Sequence, residues 1–424
     1  MLVASDSESA VYYAASVYRA TEMSDTLRAW VEIDLGALAR NGAALAARAG
    51  VPILPMVKAD AYGLGAVPVA RALEALAPWG YGVATVEEGA ALRAASIDRP
   101  IVVFTPLLVS EMSAAHAARL TPTLGSRETI VAWGAASRAA PWHLAIDTGM
   151  ARCGVRWNGV HPLQDILRAL PPEGACTHFS DAEVEDGASA RQLRRFEAAL
   201  GAMPARPAVL HAENSAAIER LTSPSPWTLV RPGVFLYGIG SRAGAAPGAA
   251  GPGQSAVPAR AHTIGPPAGR GERVLVPEPV VSLHARVVDL RTIQGGETVS
   301  YGRTYQATGP RRIATVPVGY ADGYRRAFGN VGVAILRGQR VPVVGVVTMD
   351  MTMLDVSDVD CAMGDLVTLL GAAPAPVDGG PRIAIDVGDA ARGAGVFPYE
   401  LLTGLRLRLR RVYVDRLPWV DSRP

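Results

Sequence analysis

The chain has 424 residues, 49% hydrophobic and 19% charged, with a formal net charge of +2. That length allows two domains and a large core, and the near-balanced charge gives no case for nucleic acid or an anionic membrane as a partner. No apolar run approaches the ~18 residues of a membrane span, and Cys153, Cys176 and Cys361 show neither metal-ligand spacing nor a disulfide framework, which points to a metal-free protein of a reducing compartment, the cytoplasm.

Residues 1–28 carry acids early and lack a basic-then-apolar pattern, so they read as a disordered stretch or an extension, with Met23 as an alternative start, and not as a secretory signal. From 29 to 240 short apolar runs alternate with longer amphipathic ones rich in Ala, Leu and Arg. The expected strands are Ile53–Val57, Tyr81–Ala84, Ile101–Phe104, Leu120–Leu124, His143–Ile146, Ala175–Phe179, Ala208–His211 and Leu229–Leu236. Helical patterns fall between them, at Val67–Leu76, Glu87–Ala94, Ser110–Arg119, Ser126–Arg138, Pro162–Leu170, Ser189–Leu200 and Ala216–Leu221, and Leu35–Arg48 precedes the first strand. This alternation predicts a (β/α)8 TIM-type barrel. An open doubly wound sheet is the alternative, but no Gly-x-Gly-x-x-Gly follows the first strand. Residues 241–273 are dominated by Gly, Ala and Pro without periodicity and read as a linker or surface insertion. Residues 274–424 carry short β-branched runs (Val280–Leu290, Thr298–Tyr301, Ile313–Val318, Val331–Leu336, Val341–Val347, Leu366–Leu370) and predict a mainly β domain.

Lys58 is the only lysine; every other basic residue among the 41 lysines and arginines is arginine. Guanidinium replaces ammonium on most surfaces but cannot be deprotonated, so a lone retained lysine points to amine chemistry, as a Schiff-base former or a proton acceptor. It stands after the apolar run Pro52–Val57 and before Gly63 and Gly65, where ligands bind in barrels. Other candidate groups follow later strands: Asp147 to Arg152 after the fifth, His178 at the end of the sixth, Asn214 and Ser215 after the seventh, Arg231 and Gly233 on the eighth. Each has a plainer reading: His178 as a core histidine, Asn214-Ser215 as a helix cap, Arg231 as a structural ion-pair partner. Their shared end of the barrel, Ser215 opening a helix and Gly233 admitting a close backbone approach suggest a phosphate site, and a lysine beside a phosphate site suggests pyridoxal phosphate.

From Trp30 to Val414 the sequence resembles the alanine racemase family of fold-type III pyridoxal-phosphate enzymes. The resemblance rests on Val-Lys-Ala-Asp-Ala-Tyr-Gly-Leu-Gly (57–65), Asp-Thr-Gly-Met-Ala-Arg-Cys-Gly (147–154), Thr-His-Phe (177–179) and Glu-Asn-Ser-Ala-Ala (213–217). It continues through Val-Arg-Pro-Gly-Val (230–234), Val-Ser-Tyr-Gly-Arg-Thr-Tyr (299–305), Gly-Tyr-Ala-Asp-Gly-Tyr (319–324) and Gly-Val-Val-Thr-Met-Asp (345–350). It implies two bases on opposite faces of the cofactor, Lys58 for the D-substrate and Tyr301 for the L-substrate. Holding a tyrosine ionised at pH 7 against its ordinary value near 10 takes about 4 kcal/mol, and the resemblance offers His178 and Arg231 as sources. It further implies Arg231 against the pyridine nitrogen, Arg152 against the cofactor phenolate and substrate carboxylate, and the Met349 backbone N–H against that carboxylate. Tyr62, Asn214, Ser215, Gly233, Val234 and Tyr399 would serve the cofactor, mainly its phosphate, and Tyr320 the entrance. The working unit would be a homodimer with shared sites.

Two positions depart from the family pattern. Ala145 stands where many members carry a lysine that supports the Arg152 position, and Thr348 replaces a common cysteine. The expected activity is interconversion of L- and D-alanine for peptidoglycan, with a serine or broad-specificity amino-acid racemase as the alternative. The basic amino-acid decarboxylases of this fold pair the pyridine nitrogen with an acid, not an arginine, and the barrel-only pyridoxal-phosphate carriers lack a β domain with its tyrosine.

Overall fold

The computed structural model describes residues 26–136, 139–183, 187–241, 275–374 and 382–416. The expected insertion at 241–273 and extension at 1–28 lie almost wholly outside the described residues. Six parallel strands, Tyr81–Val83, Ile101–Val103, Thr121–Leu124, His143–Asp147, Gly174–Cys176 and Val209–His211, pair in chain order. Two further staves close the ring: Leu229 bridges to His211, Val230 to Ile53 and Met56 to Gly82. The Leu54 N–H donates to Val230 O and the Val57 N–H to Gly82 O, both at 2.8 Å. The result is the (β/α)8 barrel. Its first and last staves are shorter than Ile53–Val57 and Leu229–Leu236 because Pro52, Pro55 and Pro232 have no N–H for a ladder, and Val234–Tyr237 winds into a 3-10 turn.

The helices follow the 3.6-residue apolar period. Leu35–Ala49 starts where the Asp34 carboxylate accepts the Ala37 N–H at 2.9 Å and stops at Gly50, whose φ of 65° suits glycine. Ala188–Gly201 buries Gln192, Phe196, Ala199 and Leu200, an inner face that includes one amide.

The second unit is mainly β. One sheet runs Gln339–Pro342, Val333–Leu336, Leu366–Ala372, Val281–Arg286, Ala29–Asp34, Arg410–Val414, with Ala384–Ile385 against Leu366–Ala372. Asp289–Ile293, Arg311–Val316 and Thr352–Asp355 form a second sheet, and the hairpin Thr298–Val299 with Tyr305–Gln306 flanks Tyr301. The run Val280–Leu290 is therefore two strands, not one. Ala29–Asp34, grouped by the sequence pattern with the barrel, instead sits inside this sheet, antiparallel to Val281–Arg286 and parallel to Arg410–Val414. One continuous apolar core includes Leu38, Leu45 and Phe235 of the barrel and Leu283, Val316 and Leu369 of the β unit. Burial of each such side chain is worth about 1.5–3 kcal/mol, so the two units are packed as one body.

Candidate active site

Lys58 ends the first stave and opens a tight turn. Ala59, Asp60, Ala61 and Tyr62 all have left-handed φ, between 52° and 57°. Such a run costs roughly 1–2 kcal/mol per residue for L-amino acids, so its surroundings must hold it. They do so from two sides. The C-terminal strand contributes Arg411, whose Nη2 donates to Gly63 O at 2.9 Å, and Tyr413, whose hydroxyl donates to Leu64 O at 3.0 Å. From the barrel, Glu88 accepts the Ala59 N–H at 2.7 Å. The Gly-rich loop expected after Lys58 is thus a strained left-handed turn. Burial, then Arg152 and Arg231, hold the Lys58 amine below its ordinary pKa, with Glu88 pulling the other way.

Arg231 is buried on the eighth stave beneath this mouth. Its Nη2 donates to Thr177 O at 2.7 Å and Ala212 O at 3.0 Å and reaches His178 Nδ1 at 3.2 Å, while Nη1 lies 2.7 Å from His211 Nδ1. A guanidinium only donates, so both Nδ1 atoms accept and both histidines carry their proton on Nε2. His211 then donates from Nε2 to His143 Nδ1 at 2.9 Å. This places the His143 proton on Nε2, facing Glu173 at 3.6 Å. Burial, reinforced by Arg231, Arg152 and Lys58, pushes His178 down to about 3. It is a neutral ring with one N–H to offer.

The loop after the fifth strand carries Arg152, and the Ala145 position beneath it has no lysine. Asp147 braces the loop itself, accepting the Gly149 and Ala151 N–H groups at 3.0 Å each. The larger support is Gln192, which the sequence reading missed. Its Nε2 donates to Thr148 Oγ1 at 3.1 Å and His178 O at 3.0 Å, and its Oε1 accepts the Ser180 N–H at 2.9 Å and hydroxyl at 3.0 Å. One buried amide therefore joins the Arg152 loop to the His178 strand end, and Arg195 adds a bond from Nη1 to Thr148 O at 2.8 Å. A signal existed: Gln192 shares the inner helix stripe with Phe196 and Ala199, where a polar residue needs partners. Among the described residues nothing pairs with the Arg152 guanidinium.

Ser215, Gly233, Val234 and Tyr62 converge on the opposite side. Ser215 Oγ accepts the N–H of Gly233 at 2.8 Å and of Phe235 at 3.3 Å, which leaves its own proton to donate. A Cβ at Gly233 would lie 2.8 Å from the Tyr62 hydroxyl oxygen, so only glycine leaves this cradle open. Burial pushes the Tyr62 phenol up to about 12, keeping it a neutral donor. The Asn214 side chain caps the following helix through the Ala217 N–H at 3.0 Å, the plainer of its two readings. Tyr399 arrives from the β unit, near Glu183 at 3.5 Å and close enough to feel Tyr62, and burial raises its phenol.

Tyr301, Tyr320 and Met349 are not gathered into this mouth; their exposures are 71%, 42% and 53%. They share a surface instead. Ser300 Oγ donates to Val346 O at 2.6 Å, the Tyr320 N–H to Thr348 O and the Ala321 N–H to Met349 O at 3.0 Å each. Thr348 spends its hydroxyl on the turn, donating to Met351 O at 3.0 Å. Arg408, also missed from sequence, clamps Asp322 with Nε at 2.7 Å and Nη2 at 2.9 Å and reaches Asp350 with Nη1 at 2.8 Å, tying the two loops together.

A half-buried amine, unpaired Arg152, donor-only Arg231 and the Gly233–Ser215–Tyr62 cradle suit an aldehyde, a phenolate, a ring nitrogen and a phosphate on one ligand. Together with the barrel, they define a pyridoxal-phosphate enzyme of the barrel-plus-β class. The comparisons narrow this. The family model "Alanine racemase, N-terminal domain" matches residues 33–241, and "Alanine racemase, C-terminal domain" matches 280–413. The alanine racemase of Citrifermentans bemidjiense is 38% identical over 405 residues, covering 91% of this chain and 98% of that protein. Among solved structures, alanine racemase from Streptomyces coelicolor superposes with a TM-score of 0.77 at 31% identity, over 93% of this chain and 100% of that one. The Bartonella henselae alanine racemase, solved with covalently bound pyridoxal phosphate, gives 0.76 at 26% identity, over 92% and 100%. The chain belongs to the alanine racemase family and is an isomerase of that family.

Proposed function

We propose that this chain binds pyridoxal phosphate through Lys58 and interconverts L- and D-alanine with two opposed bases, Lys58 and the partner subunit's Tyr301. When bound, pyridoxal phosphate supplies the electron-withdrawing ring that makes the substrate α-proton acidic. Lys58, its amine held below its ordinary pKa by burial and two guanidinium groups, would take or return that proton on one face. Arg231 would hold the ring nitrogen, and because a guanidinium only donates it would limit electron withdrawal by the ring and so favour return of the proton over side reactions. Neutral His178, with an Nε2–H to donate, and Arg231, with its charge, would support the partner subunit's Tyr301 as the second base. Arg152 would hold phenolate and carboxylate oxygens, and the surface shared with Tyr301 would bring the partner subunit's Met349 to the carboxylate and the partner subunit's Tyr320 to the entrance. Ser215, Gly233, Val234, Tyr62 and Tyr399 would take the phosphate, with Asn214 capping the helix that presents Ser215.

The observation that carries this reading is the convergence of the sole lysine, the Arg231–His178 pair and the Gly233 cradle on one end of the barrel. Exposed Tyr301, Tyr320, Met349 and Met351, on loops bonded to one another, support a homodimer in which this apolar surface is covered. Free Cys153, Cys176 and Cys361 support a reducing cytoplasm, where D-alanine would feed peptidoglycan synthesis. The test is chiral chromatography of purified protein with L-alanine, run beside serine, lysine and arginine. Alanine should turn over fastest; faster serine turnover shifts the reading to a serine racemase, and no D-product with any substrate refutes it. Borohydride should fix the cofactor to the peptide containing Lys58 and to no other.

A further inference from the structure

Glu88 lies on the helix Val86–Ala94, which follows the second barrel strand and is capped where Thr85 Oγ1 accepts the Glu88 N–H at 3.3 Å. Its carboxylate spans two backbone amides of different loops. Oε1 accepts the Ala59 N–H and Oε2 the Ala84 N–H, each at 2.7 Å. Ala59 directly follows Lys58 and begins the left-handed run 59–62. Charge-assisted bonds of this length are the strong kind, and a carboxylate is the side chain that can accept on both oxygens at once.

The groups that bear on the Lys58 amine come from four elements. Arg152 projects from the loop after the fifth strand, Arg231 from the eighth stave, neutral His178 from the end of the sixth strand, and Glu88 from the helix after the second. Glu88 is the one anion among them. We propose that Glu88 is a positioning residue for Lys58, clamping the turn that begins at Ala59 to the end of the second strand and bringing one negative charge to the residue next to Lys58. The two effects are separable, because one depends on reach and the other on charge. Glu88→Gln keeps the length, removes the charge and turns one acceptor into a donor that faces an N–H. Glu88→Asp keeps the charge and is one methylene too short to span both amides.

This inference rests on the reading of Lys58 as the reactive amine, and the single lysine makes the amine directly observable. Full-length protein freed of cofactor is reductively methylated with 13C-formaldehyde, and the one dimethyl-lysine NMR signal is followed against pH. Hydrogen–deuterium exchange of peptides covering 57–65 and 82–86 reads the clamp. Glu88→Gln should lower the lysine midpoint by more than about 0.3 pH unit, since loss of a nearby opposite charge disfavours the ammonium. Glu88→Asp should leave the midpoint within about 0.3 of the parent. Both variants should exchange faster at 57–65. An unmoved midpoint in Glu88→Gln overturns the charge role, and unchanged exchange in Glu88→Asp overturns the clamp, so the aspartate variant decides even where the glutamine one does not fold. Neither readout needs cofactor or turnover. Absence of borohydride-fixed cofactor in the parent would instead fail the proposed function and leave these measurements standing.

Discussion

Replacing Gln192 with methionine, a linear side chain of similar volume, removes the amide that joins the Arg152 loop to the His178 strand end. Four hydrogen bonds disappear at once: two donated to Thr148 Oγ1 and His178 O, and two accepted from Ser180. Ser180 is exposed and recovers with water, while Thr148 keeps its 2.7 Å bond to Thr177 Oγ1. The uncompensated losses are chiefly the His178 carbonyl and the second bond of Thr148, about 1–2 kcal/mol each. Methionine in the apolar stripe returns about 1 kcal/mol, which leaves a net cost of roughly 2 kcal/mol. Urea denaturation followed by circular dichroism, at one fixed protein concentration, should show that loss. The loosened Arg152 loop should raise KM for alanine roughly tenfold, equivalent to about 1.4 kcal/mol, with a smaller change in kcat. A variant within about 0.5 kcal/mol of the parent and with unchanged KM would refute the claim that Gln192 supports Arg152 in place of the missing lysine.

Subunit sharing is checked by unfolding, mixing and refolding Lys58→Ala with Tyr301→Phe. Random pairing makes half the dimers mixed, each with one intact site, so about a quarter of all sites should recover; no recovery, with exchange confirmed by mass, places both bases on one chain. Acid stability tests the buried histidine of the β sheet. Burial and then Arg416 push His284 down to about 3, so below about pH 6.5 the unfolded chain takes up a proton that the folded chain refuses. Its contribution is full above about 6.5 and is lost as pH falls toward 3, on the order of 3 kcal/mol by pH 4.5. The denaturation midpoint of His284→Phe should therefore drop less between pH 7 and 4.5 than that of the parent; an equal drop would remove His284 from the account.

The barrel, the β unit and the end of the barrel where the candidate residues gather were legible in the sequence, because each rests on local signals. Strand and helix periods repeat every two and 3.6 residues, and Lys58 stands out as the single lysine in a chain whose other basic residues are arginine. Arg231, His178, Ser215 and Gly233 were likewise readable as residues that follow strands. What chain order could not carry was any assignment made by pairing across it. Ala29–Asp34 has the pattern of a strand, yet only the packed sheet places it between Val281–Arg286 and Arg410–Val414. The prolines shortened the first and last staves because a ladder needs N–H groups, and the tertiary closure shows which ones are missing. Glu88, Gln192 and Arg408 look like ordinary surface or helix residues in one dimension. Their roles exist only where the fold brings a carboxylate to Ala59, an amide to Thr148 and His178, and a guanidinium to Asp322 and Asp350. Such bonds form because a buried polar group left unpaired is costly, and which groups become buried together is decided by the whole chain at once.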